Sequence, residues 1–132
     1  MHSVAAGLAL MLGLGVCLSL HAADKRPLGL EDLFQIKRLS DPQISPDGKW
    51  VAYVATEVDK EENRSNSDIW LVPAEGGEAR QLTSSPKHDR HPRWSPDGKW
   101  IAFESNRGGK FQIYLIRADG GEAKELTSIS TE

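Results

Sequence analysis

The sequence predicts an all-β fold of two four-stranded antiparallel sheets, preceded by an apolar leader and a short helix. Three observations carry that prediction. Ser45-Pro46-Asp47-Gly48-Lys49-Trp50 returns letter for letter as Ser95-Pro96-Asp97-Gly98-Lys99-Trp100, and Gly76-Gly77-Glu78-Ala79 returns as Gly120-Gly121-Glu122-Ala123. Aligning 41–54 with 91–104 and 67–83 with 111–127 gives 17 identities in 31 positions, and most differences keep their character, as in Val51/Ile101, Tyr53/Phe103 and Trp70/Tyr114. Each copy also breaks into four short runs separated by turn residues. Tandem self-similarity of this kind marks a duplicated, stacked architecture.

In chain order, residues 1–23 contain no Lys, Arg, Asp or Glu, and Val4 to Leu20 is almost wholly apolar. Ala22-Ala23 and the charged Asp24-Lys25-Arg26 follow. This is the pattern of a secretory signal peptide, cut after Ala22 or Ala23, and it predicts an exported protein, periplasmic or secreted. An uncleaved membrane anchor is the alternative, because the run approaches the ~18 residues of a spanning helix. Cys17, the one cysteine, lies in this leader, so the mature chain would hold no disulfide. Val16 stands where a lipidation site expects a small residue. Residues 24–40 form a lead-in, in which Leu30, Leu33, Phe34 and Ile36 or Lys37 follow helical spacing until Ser40-Asp41-Pro42 stops the run.

The first repeat occupies 41–83 and the second 84–132. In the second, Pro92 to Ser95 leads into Pro96-Asp97-Gly98, a hairpin signal in which proline sets φ and glycine takes a positive one. Trp100 to Phe103 follows, then the turn Asn106-Arg107-Gly108-Gly109, the run Gln112 to Ile116, the turn Asp119-Gly120-Gly121, and Ala123 to Thr127. The last run is polar and suits an outer edge, where charge discourages stray strand pairing. Residues 55–66, six longer than the counterpart 105–110, are charged and predict a solvated loop. Asn63-Arg64-Ser65 is a glycosylation sequon only in a eukaryotic secretory pathway.

The second and third runs are apolar on both faces, with Trp100 and Ala102 pointing one way and Ile101 and Phe103 the other, which predicts sheets covered on both faces. Sheets of this kind, repeated at this period, are the blades of a β-propeller. Two blades cannot close a ring that needs four to eight, so one face of the second blade is expected to be left wet. Only five residues follow Thr127, which places the end of the sequence inside a linker toward a third blade; a composite ring of several copies is the alternative.

The net charge of −3 and 27% charged residues suit a soluble globular domain and predict no nucleic-acid partner. Lys37-Arg38 and Lys124 are too scattered to make a basic stripe. Asp47-Gly48 and Asp97-Gly98 read as repeated hairpin turns rather than ligand loops. His88, Asp89 and His91 have the spacing of metal ligands but lack a fourth. Trp50, Trp70, Trp94 and Trp100 read as packing between blades rather than as an aromatic binding platform. Gly76-Gly77 and Gly120-Gly121 are turns, not phosphate cradles. No catalytic, cofactor-binding or metal residue is assigned from these patterns.

The lead-in Leu28-Gly29-Leu30-Glu31-Asp32-Leu33-Phe34, joined to Leu39 through Tyr53, Ser67 through Pro73 and Arg80-Gln81-Leu82-Thr83, resembles the start of secreted bacterial serine peptidases of the prolyl oligopeptidase family. The acylaminoacyl-peptidase and dipeptidyl-aminopeptidase branch is the most similar. The Ser-Pro-Asp-Gly-Lys repeat alone also resembles TolB-type propellers, which implies an alternative role as a protein-binding module of the cell envelope. The peptidase resemblance implies an N-terminal propeller that gates peptide access to a C-terminal α/β-hydrolase domain bearing Ser, His and Asp. Gly-x-Ser-x-Gly occurs nowhere in this chain, so the chain alone is expected to be catalytically silent. The expected partners are further blades and the hydrolase domain, or a peptide or protein; a membrane would be met only through an uncleaved leader.

Overall fold

The computed structural model describes residue 27 and residues 29–130. The leader at 1–23, with Cys17, lies outside the described residues. A six-residue helix, α1 (Leu30–Gln35), opens the described chain. Its first turn is closed locally: the Asp32 carboxylate accepts the Gly29 N–H at 2.7 Å, and the Asp32 N–H reaches back to the Gly29 carbonyl. Leu33 and Ile36 are both more than half exposed. The apolar spacing that marks the helix therefore does not become a buried stripe at these two positions.

Two sheets follow. The first holds β1 (Arg38–Ile44), β2 (Trp50–Asp59), β3 (Arg64–Pro73) and β4 (Arg80–Gln81). The second holds β5 (Asp89–Trp94), β6 (Trp100–Ser105), β7 (Gln112–Arg117) and β8 (Lys124–Glu125). Both run in sequence order, every neighbour antiparallel, so each is a meander with its polar fourth strand at one edge. The first strands, β1 and β5, lie beside each other. These are the two blades that the repeat predicts.

Identical letters make identical bonds. Ser45 Oγ donates to Asp47 Oδ1 at 2.5 Å, Asp47 Oδ1 accepts the Lys49 N–H, and Ser45 Oγ accepts the Trp50 N–H. Ser95, Asp97, Lys99 and Trp100 repeat the set at 2.6, 3.0 and 2.9 Å. Gly48 and Gly98 sit at φ 72° and 68°, the left-handed region closed to most side chains. Thr83 and Thr127 likewise accept the N–H of Ile69 and Ile113, each at 2.9 Å.

Both first strands carry a bulge. Pairing slips between Ser40 and Gln43 and again between Arg90 and Arg93, and at the slip Asp41 and His91 adopt φ 49° and 55°. Each is followed by proline, which has no N–H for the ladder and is tolerated at bulges and edges.

One expectation is corrected at 55–66. Instead of a loop, β2 and β3 run on as a hairpin, with Thr56, Glu57, Val58 and Asp59 paired to Ser67, Asn66, Ser65 and Arg64. The turn shrinks to 60–63, where Asp59 Oδ1 accepts the N–H groups of Glu61 and Glu62 and Asn63 takes φ 47°. Cross-strand pairing satisfies the backbone of a charged stretch whatever its hydropathy, and composition alone hid that.

Residues opposite one another in an antiparallel pair share a face. The seam between the sheets is formed by Ala52, Ile69 and Leu71 from the first and Ile101, Phe103, Tyr114 and Ile116 from the second, flanked by Trp50 and Trp94. Ile69, Leu71 and Ile101 are fully buried, each removal from water favouring the fold by about 1.5–3 kcal/mol. The other face of the second sheet is incompletely covered, as expected of two blades, and the correction is that the first sheet has such a face too. Val51, Tyr53, Trp70 and Val72 on the first sheet, and Trp100, Ala102, Ile113 and Leu115 on the second, are only half-buried. In this chain each sheet is covered by a neighbouring sheet on one face, because two blades share a single seam.

Candidate functional site

The repeated turns that might have been ligand loops spend their polar atoms on themselves. The Ser45 and Ser95 hydroxyls, with the N–H groups of Lys49 and Lys99, hold the carboxyls of Asp47 and Asp97 below the usual range. These groups fix hairpins.

Chemistry-bearing side chains gather instead along the first strands, which line the central channel in a closed propeller. Across the seam, Arg93 Nη1 meets both Asp41 oxygens at 3.1 and 2.9 Å, while Gln43 Nε2 donates to Asp41 Oδ1 at 2.8 Å. Trp94 Nε1–H donates to the Gln43 carbonyl at 3.0 Å. Glu104 takes Arg90 Nε at 3.0 Å and His91 Nδ1 at 3.2 Å, and Arg90 also lies 3.9 Å over the Phe111 ring. Burial would raise the Asp41 and Glu104 carboxyls. The bonds and charges of Arg93 and Gln43 on one, and of His91 and Arg90 on the other, outweigh it and hold both below the usual range. Asp41, Arg90, His91 and Arg93 of this charged rim border a groove of about 440 Å³ that reaches Thr56 and Ser67.

Behind the rim lies a buried polar cluster. Asp89 is fully buried and paired with Arg107 Nη2 at 2.7 Å; Arg107 Nε bonds Ser105 Oγ, and its guanidinium stands over the rings of Phe103 and Tyr114. Asp68 takes the Asn66 amide at 3.0 Å, and burial, with the nearby charges of Asp89 and Glu57, pushes its carboxyl up to about 6. Ser67 Oγ bonds Thr56 Oγ1 at 2.9 Å and lies 3.3 Å from His88 Nδ1. This Ser–His contact is part-buried between the sheets, and the serine hydroxyl is shared with a threonine.

His88, Asp89 and His91 do not converge: their side chains go to Ser67, Arg107 and Glu104 respectively. Among the described residues, no three His, Cys, Asp or Glu side chains are grouped as metal ligands. The tryptophans divide. Trp50 and Trp94 pack at the seam, Trp50 under the Arg80 guanidinium at 5.5 Å. Trp70 and Trp100 lie on the two outer faces, stacked with Lys37 and Arg117.

Residues 64–131 match the family model of the Tricorn protease N-terminal beta propeller domain. The chain belongs to this propeller family. The YuxL peptidase of Bacillus subtilis, itself described as uncharacterized, is 39% identical over 85 residues, 64% of this chain. The acylaminoacyl peptidase of Pyrococcus horikoshii superposes on 74% of the chain with a TM-score of 0.60 and 30% identity. The β-propeller domain of the Trilobed protease from Pyrococcus furiosus covers 70% with a TM-score of 0.55 and 28% identity. The chain spans only 13% of the YuxL peptidase, 15% of the acylaminoacyl peptidase and 28% of the Trilobed propeller domain. The peptidase-type propeller expected from the lead-in and first repeat is thus what the family match and the solved structures give.

Sequence reasoning missed the rim and the buried cluster. Arg93 and Asp41 stand 52 positions apart, and only the stacking of two sheets brings them together. One signal was available for the rim: Asp41-Pro42 and His91-Pro92 occupy the same position in both repeats, yet differ from the hairpin letters around them.

Proposed function

We propose that this chain is the N-terminal propeller portion of an exported serine peptidase, where the ring limits access of peptides to a hydrolase domain that these residues do not contain. The observation that carries the reading is the match, in sequence and in fold, to propellers of peptidases. The charged rim suits the task. A channel edged by Asp41, Arg90, His91, Arg93 and Glu104 offers both signs of charge to the backbone and termini of a short polar chain, while a rigid ring excludes folded proteins by size. Gating here is a property of the whole ring, and the hydrolase domain supplies the nucleophile and base.

A fluorophosphonate probe, which labels activated serine nucleophiles, tests this in extracts of the source cells. After capture with an antibody against residues 40–127, a labelled species much heavier than the 14.5 kDa of this chain is expected. Capture of abundant antigen with no probe label at any mass would remove the peptidase reading.

A further inference from the structure

The charged rim is uneven in what it leaves free. Lys87-His88-Asp89-Arg90-His91-Pro92-Arg93 puts three cations and two imidazoles into seven residues of a chain whose net charge is −3. The one acid of that stretch, Asp89, is fully buried and held by Arg107, so it does not offset the cations at the surface. The two rim carboxylates are engaged as well. Asp41 accepts from Arg93 Nη1 and Gln43 Nε2, and Glu104 from Arg90 Nε and His91 Nδ1. The guanidiniums keep donors in hand, because each carries five N–H groups in a planar fork. Among the described residues, Arg93 bonds through Nη1 alone and Arg90 through Nε alone. Nε and Nη2 of Arg93 and both Nη atoms of Arg90 are left to offer, on side chains 56% and 44% exposed. Arg90, His91 and Arg93 border the groove of about 440 Å³, with Ser40 and Asp41 on its other side. Both of its walls, β1 and β5, belong to the two sheets described, so the groove owes nothing to any further blade.

We propose that this groove binds the carboxylate of a peptide, from an acidic side chain or a free C-terminus, on the guanidinium of Arg93 with Arg90 and His91 beside it. The proposal rests on the reading of these blades as part of a peptidase ring and adds to it a preference among the short chains the ring admits. Guanidinium and carboxylate match as forks, through two parallel N–H···O bonds. Asp41 already holds Arg93 Nη1, so an incoming carboxylate takes the Nε and Nη2 edge. A groove of this size holds a few residues of an extended peptide around that anchor. Asp41 is also the competitor of the site: its charge offsets part of the field of Arg93, and its removal leaves Nη1 open to the ligand.

The test is equilibrium binding, by fluorescence anisotropy, to the full-length polypeptide that carries these blades, treated with fluorophosphonate so that no peptide is cut. Three peptides of one length carry the same neutral dye. The first is uncharged with an amidated C-terminus, the second differs by a free C-terminus, and the third by one internal glutamate. At least one of the two carboxylate peptides is expected to bind about tenfold more tightly than the uncharged one, and which one identifies the source of the carboxylate. Arg93→Gln and Arg90→Gln are each expected to shrink that difference, and the pair to abolish it. Asp41→Asn is expected to widen it, whereas a purely structural role for Asp41 would weaken all three peptides alike. Equal binding of the three peptides to the wild-type protein overturns the proposal without any variant. So does a carboxylate preference that survives the double arginine variant in a protein that keeps its far-ultraviolet circular dichroism. Fluorophosphonate labelling separates the two readings: a labelled protein with equal binding loses this site alone, and an unlabelled one loses the peptidase reading while its binding still decides the site.

Discussion

Asp68 and the Asp89–Arg107 pair put opposite demands on the fold. Asp68 keeps its proton to about pH 6 when folded, against 3.8 for an ordinary aspartate. The folded state therefore binds more protons between those values, and the stability tied to Asp68 is present below about pH 4 and lost as pH rises through about 6. Asp68→Asn removes that loss. Its melting temperature, relative to wild type, is expected to rise between about pH 4 and pH 7, and an equal difference at both values would show that ionisation is not the cause. Asp41 and Glu104, held low by their cations, act in the opposite sense and lose their contribution on acidification, which is why the comparison must be made between variants. For the buried pair, Arg107→Met leaves a fully buried carboxylate without its cation and is expected to cost about 3–5 kcal/mol. Asp89→Asn is expected to cost less, since Arg107 is 26% exposed and reaches water. Urea midpoints of the two variants give the order, and the reverse order would contradict the assignment of Asp89 as the group that depends on its partner.

At the scale of the element, the seam is a set of apolar residues at alternate positions of β2, β3, β6 and β7, bordered by polar bonds such as that from Trp94 to the Gln43 carbonyl. Leu71→Ala is expected to destabilise by about 2–5 kcal/mol, the range for a fully buried leucine whose surroundings close only partly around the gap. Trp94→Phe keeps an aromatic ring but strands a carbonyl, and about 1 kcal/mol is expected. Denaturant titration measures both, and a Leu71→Ala cost below that of Trp94→Phe would place the core elsewhere. Much of this level was legible before any coordinates. Ser-Pro-Asp-Gly-Lys-Trp announces its hairpin because proline, glycine and a short-range Ser–Asp bond act within six residues. The order of strands follows from short connections. The extended hairpin at 56–67 was not legible, because charged residues pair across strands without an apolar alternation to reveal it. Nor was the bulge, since a positive φ at Asp41 or His91 leaves no glycine behind as a mark. The rim was hidden for a further reason: its bonds join residues some fifty positions apart, and no local pattern encodes which charge of one sheet meets which of the next.

For the whole molecule, the seam explains why the chain reads as part of something larger. The same residue types that bury Ile101 and Phe103 against Trp50 and Leu71 recur on two outer faces that are only partly covered, and the propellers it matches belong to much longer peptidases. The measurement that tests this most directly is the mass of the native polypeptide. An immunoblot of denatured source-cell fractions, with antibody against residues 40–127, is expected to show a band several times heavier than 14.5 kDa in the envelope or medium. A band at or just below 14.5 kDa, and none heavier, would contradict the account: the two blades would then be the entire protein, with no hydrolase domain for them to gate.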